Sequence, residues 1–196
     1  MFFCNNNRCI VLFFLVLFFS LSLLVVKIIC RRLLQETYVV QDCFYWNDGS
    51  SVTGLEIGSD VSCTSNGDYI TITTSTSGEK DVKLPVTLTG DWEFETTLAE
   101  LGDVNYLAFK VDVGQQWGAL GTNSMWTVDL GNGSTSKTVT VNTGDILKIT
   151  YIDGTMSVYY NDTLLASRQV NVTGKIGYYT NRNRIQHIKN IKLKAL

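Results

Sequence analysis

Two different patterns of apolar residues divide the chain. From Cys9 to Cys30 they follow one another almost without a break (CIVLFFLVLFFSLSLLVVKIIC), and no charge falls between Cys9 and Val26. In a helix rising ~1.5 Å per residue, about 18–20 such residues span most of a ~30 Å hydrocarbon layer. The run has no polar face, which argues against a helix lying in the interface plane. It is longer than the ~7–15-residue apolar core of a cleavable signal, and no A-x-A-like triplet follows it. The pattern predicts an N-terminal anchor or signal segment over residues 1–35, with a transmembrane helix inside 9–30. A cleaved signal and a true start lying downstream are the alternatives.

Beyond residue 36 the period changes to two. Tyr69–Thr74, Trp92–Ala99 and Tyr106–Val113 alternate apolar with polar: Trp92, Phe94 and Leu98 against Glu93, Glu95 and Thr97, then Leu107, Phe109, Val111 and Val113 against Ala108, Lys110 and Asp112. Alternation means one buried and one wet face, as in antiparallel sheets. Tyr38–Trp46 reads as an extended segment ended by Asn47-Asp48-Gly49-Ser50. Ile146–Ile152 and Met156–Tyr160 flank Asp153-Gly154, the strongest short hairpin signal. Thr163–Arg168, Lys175–Thr180 and Gln186–Lys194 complete the strands. No stretch after residue 36 carries an apolar period of 3.6. The expected fold class is all-β, with about a dozen short antiparallel strands over residues 36–196, closed as a two-sheet sandwich or a barrel.

Composition adds compartment and exclusions. The net charge is −2, and the first 35 residues hold Arg8, Lys27, Arg31 and Arg32 with no acid, which leaves about −6 on the remainder. An acidic module is a poor nucleic-acid binder, so no nucleic-acid partner is expected. Side is contested. The cations after the apolar run favour a cytoplasmic domain, whereas the sequons at Asn132, Asn161 and Asn171 favour an exported one. The expectation is a single-pass membrane protein with an extracytoplasmic domain, or else a secreted or virion-surface one. In an exported domain Cys43 and Cys63 are a candidate disulfide, closing a loop that the chain-entropy model values at ~3 kcal/mol; two buried free thiols are the alternative. His187 is the one histidine and there is no C-x-x-C, so the usual zinc sites are absent and no metal site is expected. Calcium is a lesser candidate, through Asp48, Asp60, Asp68 and Asp103. No other cofactor is implied.

The order of the pieces resembles the concanavalin A-like lectin/glucanase jelly roll, the superfamily that includes laminin-G-type modules. The stretches that carry the resemblance are GDWEFETTL (90–98), NYLAFKVDV (105–113), GDILKITYIDGTMSVYYNDTLL (144–165) and KIGYYT…IKNIKLKAL (175–196). DCFYWNDGSS (42–51) is also similar to the opening of sandwich domains from phage and microbial surface fibres. The resemblance implies an antiparallel two-sheet jelly-roll sandwich over residues 36–196. It also implies a habit of binding carbohydrates or surface proteins.

Three readings of function follow. The first is a non-catalytic carbohydrate- or surface-recognition module. Its candidate ligand residues are Trp117, Trp126 and Tyr179, with Asn181, Arg182 and Arg184 in a donor-rich segment between two strands. Aromatic faces stack on sugar rings, while planar polar groups bond their hydroxyls. The second is a structural assembly domain without a small ligand. The third is a glycoside hydrolase using Asp91, Glu93 and Glu95, which share one strand face with neighbours ~6.5–7 Å apart, within the ~5–9.5 Å that such carboxylate pairs need. The glucanases of the resembling superfamily carry E-x-D-x-E or E-x-D-x-x-E. Here the order is D-W-E-F-E, so the expectation is a non-enzyme with no catalytic residue. No nucleophile elbow, phosphate loop or dinucleotide fingerprint is present. Oligomeric state is not encoded in any pattern found.

Overall fold

The structure, a computed structural model, describes residues 45–74, 80–101, 109–113, 116–122, 125–130, 134–180 and 185–196. The chain divides between Asp42 and Cys43, and the second unit, Cys43–Leu196, holds all the described residues. These are all-β. Among them no helix is long and apolar enough to cross a membrane; the apolar run 9–30 lies outside the described residues.

The strands are β1 (Tyr45–Asn47), β2 (Glu56–Ile57), β3 (Val61–Ser65), β4 (Ile70–Thr74), β5 (Lys80–Thr87), β6 (Trp92–Glu100), β7 (Phe109–Val113), β8 (Gln116–Thr122), β9 (Met125–Asp129), β10 (Ser134–Thr138), β11 (Ile146–Ile152), β12 (Thr155–Tyr160), β13 (Thr163–Gln169), β14 (Lys175–Thr180) and β15 (Ile185–Ala195). One sheet has eight strands in the order β13-β12-β11-β6-β15-β4-β3, with β1 also paired to β15. The other has seven, in the order β10-β9-β8-β7-β14-β5-β2. Neighbouring strands pair antiparallel throughout.

The expected alternation builds the core. Trp92, Phe94 and Leu98 of β6, Ile149 of β11, Val158 of β12 and Ile188, Ile191 and Leu193 of β15 are buried. They join Val82 and Leu84 of β5, Val111 and Val113 of β7, and Ile176 and Tyr178 of β14 from the other sheet in one cluster. The Tyr178 hydroxyl crosses between the sheets to donate to Thr96 Oγ1 at 2.8 Å, and its ring meets that of Phe94 at 6.1 Å between centroids. Burial pushes the Tyr178 phenol far above its ordinary value, the bond to Thr96 opposing only in part. It is neutral at any physiological pH and serves as a polar pin in an apolar layer.

Both short turns of the β11–β13 meander have positive φ at both central residues, Asp153 (49°) with Gly154 (74°) and Asn161 (44°) with Asp162 (62°). This is the pattern that matches strand twist in two-residue hairpins. The long strand β15 is bulged at Asn190 (φ 52°), where its register on β6 shifts between Lys189 and Lys192. Above that point β15 pairs with β4, and below it with β1. The lone proline, Pro85, lies in β5 beyond the two positions that β2 covers, at an irregularity opposite Lys175 and Gly177. A missing N–H is tolerated there.

Candidate functional site

Each sheet has an outer side, and the two differ in what they offer. On the eight-stranded sheet one register row runs across β1, β15, β6, β11, β12 and β13: Trp46, Lys192, Glu95, Lys148, Tyr159, Leu164. Its charges are already spent on one another. Lys192 Nζ donates to Glu95 Oε1 at 2.8 Å and stands 5.0 Å from the centre of the Trp46 ring. Lys148 donates to Asp162 at 2.6 Å and stands 5.4 Å from the Tyr159 ring. In the next row Lys194 donates to Glu93 at 3.0 Å.

The acidic strand is therefore a cross-strand ion ladder. Glu93 and Glu95 share the wet face as their alternation predicts, but each is engaged by a lysine of β15. Asp91 accepts the backbone N–H of Asp153 at 3.0 Å, and its carbonyl accepts the Leu196 N–H at 3.1 Å; it holds a turn. A glycosidase pair needs one carboxyl free to protonate the leaving group and a second free to act on the sugar. These carboxylates are committed elsewhere.

At the other end of this face Tyr69, Thr71, Glu100 and His187 gather. The Tyr69 hydroxyl donates to Glu100 Oε2 at 2.7 Å, which raises its pKa above the ordinary phenol value. The Tyr69 ring meets the His187 imidazole edge-on at 5.1 Å, and Thr71 Oγ1 lies 3.1 Å from His187 Nδ1. Burial lowers the His187 pKa, the Glu100 charge working in the opposite sense.

The seven-stranded sheet presents a different row. Lys83, Gly177, Asp112, Trp117 and Asp129 stand opposite one another across β5, β14, β7, β8 and β9. Val82, Leu84, Ile176, Tyr178 and Val128, the chain neighbours of Lys83, Gly177 and Asp129, point into the core, so those three positions belong to the outer side. At the row's centre Gly177 is buried and closely covered. A Cβ there would stand 3.1 Å from both Lys83 Cγ and the Val82 carbonyl. Glycine inside a strand marks either a bulge or the close approach of another group. Here the bulge at Pro85 is adjacent, and strand β5 itself makes the close approach through Lys83 and Val82. Lys83 is paired with Asp81 at 2.8 Å, with about two-fifths of each side chain exposed. Asp112 and Trp117 occupy the register positions between Gly177 and Asp129.

The sequence-derived candidates separate along this sheet. Trp117 and Trp126 were expected in or near loops; each is the second residue of a strand, β8 and β9. Register puts Trp126 opposite Gly121 and Lys137, at the end where β14 closes and residues 181–184 follow, whereas Trp117 is level with Gly177. Tyr179 is only 7% exposed, which leaves little ring surface for a ligand, and its carbonyl accepts Gln186 Nε2. Asn181, Arg182 and Arg184 lie outside the described residues, as do Cys43, Asp103 and Asn132. Cys63 is buried, and burial pushes its thiol up to about 11. Lys83, Gly177, Asp112 and Asp129 escaped the sequence reading. The one signal that marks them is polar parity: each alternates with core residues in a central strand.

Of the turn aspartates, Asp48 holds its own turn. Asp48 Oδ1 accepts the Ser50 N–H at 2.8 Å, and bonds from Ser50 lower its pKa. Gly49 is required beside it (φ 102°), because a Cβ would come within 2.7 Å of the Asp68 carbonyl and Tyr69 Cα. Among the described residues no three His, Cys, Asp or Glu side chains gather as a metal-holding group.

No family model matches the sequence, and no curated protein matches it. Solved structures match in fold. A sialidase aligns at TM-score 0.58 and 11% identity over 76% of this chain, which spans only 18% of the sialidase. The carbohydrate recognition domain of Emp47p aligns at TM-score 0.53 and 9% identity, covering 76% of this chain and 94% of that one. The carbohydrate-binding module CBM66 of Bacillus subtilis aligns at TM-score 0.52 and 13% identity, covering 72% and 96%. At these identities the likeness is one of fold: the β-domain has the architecture of the concanavalin A-like jelly roll.

Proposed function

We propose that the domain is a non-catalytic carbohydrate-recognition module, held at a membrane by residues 9–30 with its sandwich on the extracytoplasmic side. The observation that supports this most is domain-for-domain likeness. The described strands correspond to nearly the whole of two carbohydrate-binding domains; a putative glycosyl hydrolase is matched over 91% of its length as well, so the case against catalysis rests on the ion-paired carboxylates of β6. The row through Gly177 supplies the place. An indole at position 117 would stack on the apolar face of a sugar, while Asp112, Asp129 and Lys83 bond its hydroxyls. Asn181, Arg182 and Arg184 extend that recognition at the end of the sheet. Calcium through the turn aspartates is a subordinate part of this reading.

A glycan array probed with the full-length protein in detergent, with and without calcium, tests it. Binding to a defined glycan class that is lost in Trp117→Ala is expected; silence across the array at high protein concentration overturns it. The hydrolase reading predicts turnover of some β-glucan that disappears in Glu93→Gln. The lysine partners of Glu93 and Glu95 argue that no member of a broad panel is cleaved.

A further inference from the structure

Two of the sequons fall on described residues, and the fold treats them in opposite ways. Asn161 opens the two-residue turn between β12 and β13. Its Oδ1 accepts the Ile146 N–H at 2.9 Å, and its Nδ2 donates to Asp145 Oδ1 at 2.8 Å. The same Asp145 also accepts from the Tyr160 hydroxyl and the Asn142 N–H. The amide of Asn161 is thus a structural strut, clamped between strand β11 and an anchored carboxylate, with its backbone at φ 44°. The partners are local, all within twenty residues, and hairpins of this kind close in about 1–10 μs.

Asn171 has the opposite setting. It lies in the irregular segment between β13 and β14, and both it and Thr173 are exposed while Val172 between them is buried. The buried valine fixes the segment and turns the acceptor amide and the threonine hydroxyl outward together. The location also suits a bulky group. Val170 donates to the Gly154 carbonyl at 3.0 Å, which puts Asn171 at the end of the sandwich where β11 meets β12 and where Tyr45 pairs with Leu193. The row through Gly177 is on the other sheet.

We propose that Asn171 is the N-glycan acceptor of this domain and that the Asn161 sequon stays unmodified because the fold uses its amide. This rests on the extracytoplasmic reading above. The test is translation of the full-length chain into endoplasmic-reticulum microsomes, in an Asn132→Gln background that removes the third sequon. Added protease reports which side the domain occupies. One endoglycosidase-sensitive mobility step is expected, lost in both Asn171→Gln and Thr173→Ala and kept in Thr163→Ala, which removes the Asn161 sequon without touching the turn. A protected domain with no step, or a step lost in Thr163→Ala and kept in Thr173→Ala, overturns the assignment. Digestion by the added protease instead overturns the extracytoplasmic reading, and the acceptor with it.

Discussion

The two outer faces of this sandwich are built on one core and reach opposite ends. On the eight-stranded sheet Glu93 and Glu95 of β6 each meet a lysine of β15, and Trp46 and Tyr159 offer their ring faces to Lys192 and to Lys148 of β11. On the seven-stranded sheet Lys83 pairs with Asp81 and Lys175 with Glu56, toward the β2 edge, while the middle rung at Gly177 carries no side chain. The ion pairs of the first face run through the centre of its sheet; those of the second lie toward one edge. The lesson is that an acidic strand in this fold cannot be read without its pairing partner. D-W-E-F-E looks like machinery in isolation and is a fastening once I-K-L-K is laid beside it.

The comparison is sharpest where both faces depend on the same residue. Phe94 lies fully buried between Glu93 and Glu95 and touches Tyr178 of the other sheet. Phe94→Ala is expected to cost about 3–5 kcal/mol, a large share of the ~5–15 kcal/mol typical of a domain, as read by denaturant unfolding. A loss under 1 kcal/mol would mean that the two sheets do not interlock there. Trp117→Ala should weaken glycan binding about tenfold or more, ~1.4 kcal/mol, with the unfolding midpoint nearly unmoved, while Lys192→Met leaves binding unchanged. The reverse result would move the site to the eight-stranded face. A double-mutant cycle between Glu95 and Lys192, partly exposed as they are, should return a coupling of only about 0.2–1 kcal/mol.

Much of this contrast was legible in the chain. The strands 146–152 and 175–180 have the bounds their alternation predicts, and the D-G hairpin is where its turn residues put it. The strands that pattern reading passed over are β2, β3, β5, β8, β9 and β10. Three of them are rich in Ser, Thr or Gly, with VSCTS, QWGALGT and STSKT, so they lack the apolar rhythm that betrays a strand; β5 carries the proline. Their identity comes from pairing partners far away in sequence, which local propensity does not record. For the same reason the Gly177 row was hidden. Its members are one residue from each of five strands, and only register brings them together. The aromatic candidates were found by residue type alone, which is why Trp117, Trp126 and Tyr179 fall on three different strands.

The smallest expected effect is a pH dependence confined to the eight-stranded face. Burial holds the His187 pKa below its unfolded value, so the unfolded chain binds a proton more readily. Stability from this group is complete above the ordinary histidine range and declines as pH falls from about 6.5 through the folded pKa. Replacing His187 by Gln should flatten that slope between about pH 7 and 5. Glycan affinity measured over the same interval should not follow His187, because the residue is not on the proposed binding face.

Strand β15 occupies the interior of the eight-stranded sheet, bonded to β6 on one side and to β4 and β1 on the other. Nothing earlier in the chain can substitute for it. A nascent polypeptide therefore carries β4 and β6 with bare edges until Ala195 has cleared the ribosome tunnel. During that interval its exposed ladders invite pairing with other chains. Biogenesis is then a race between completing translation and self-association. Stop codons placed before Ile185, which remove β15, should yield inclusion bodies, not a smaller folded domain.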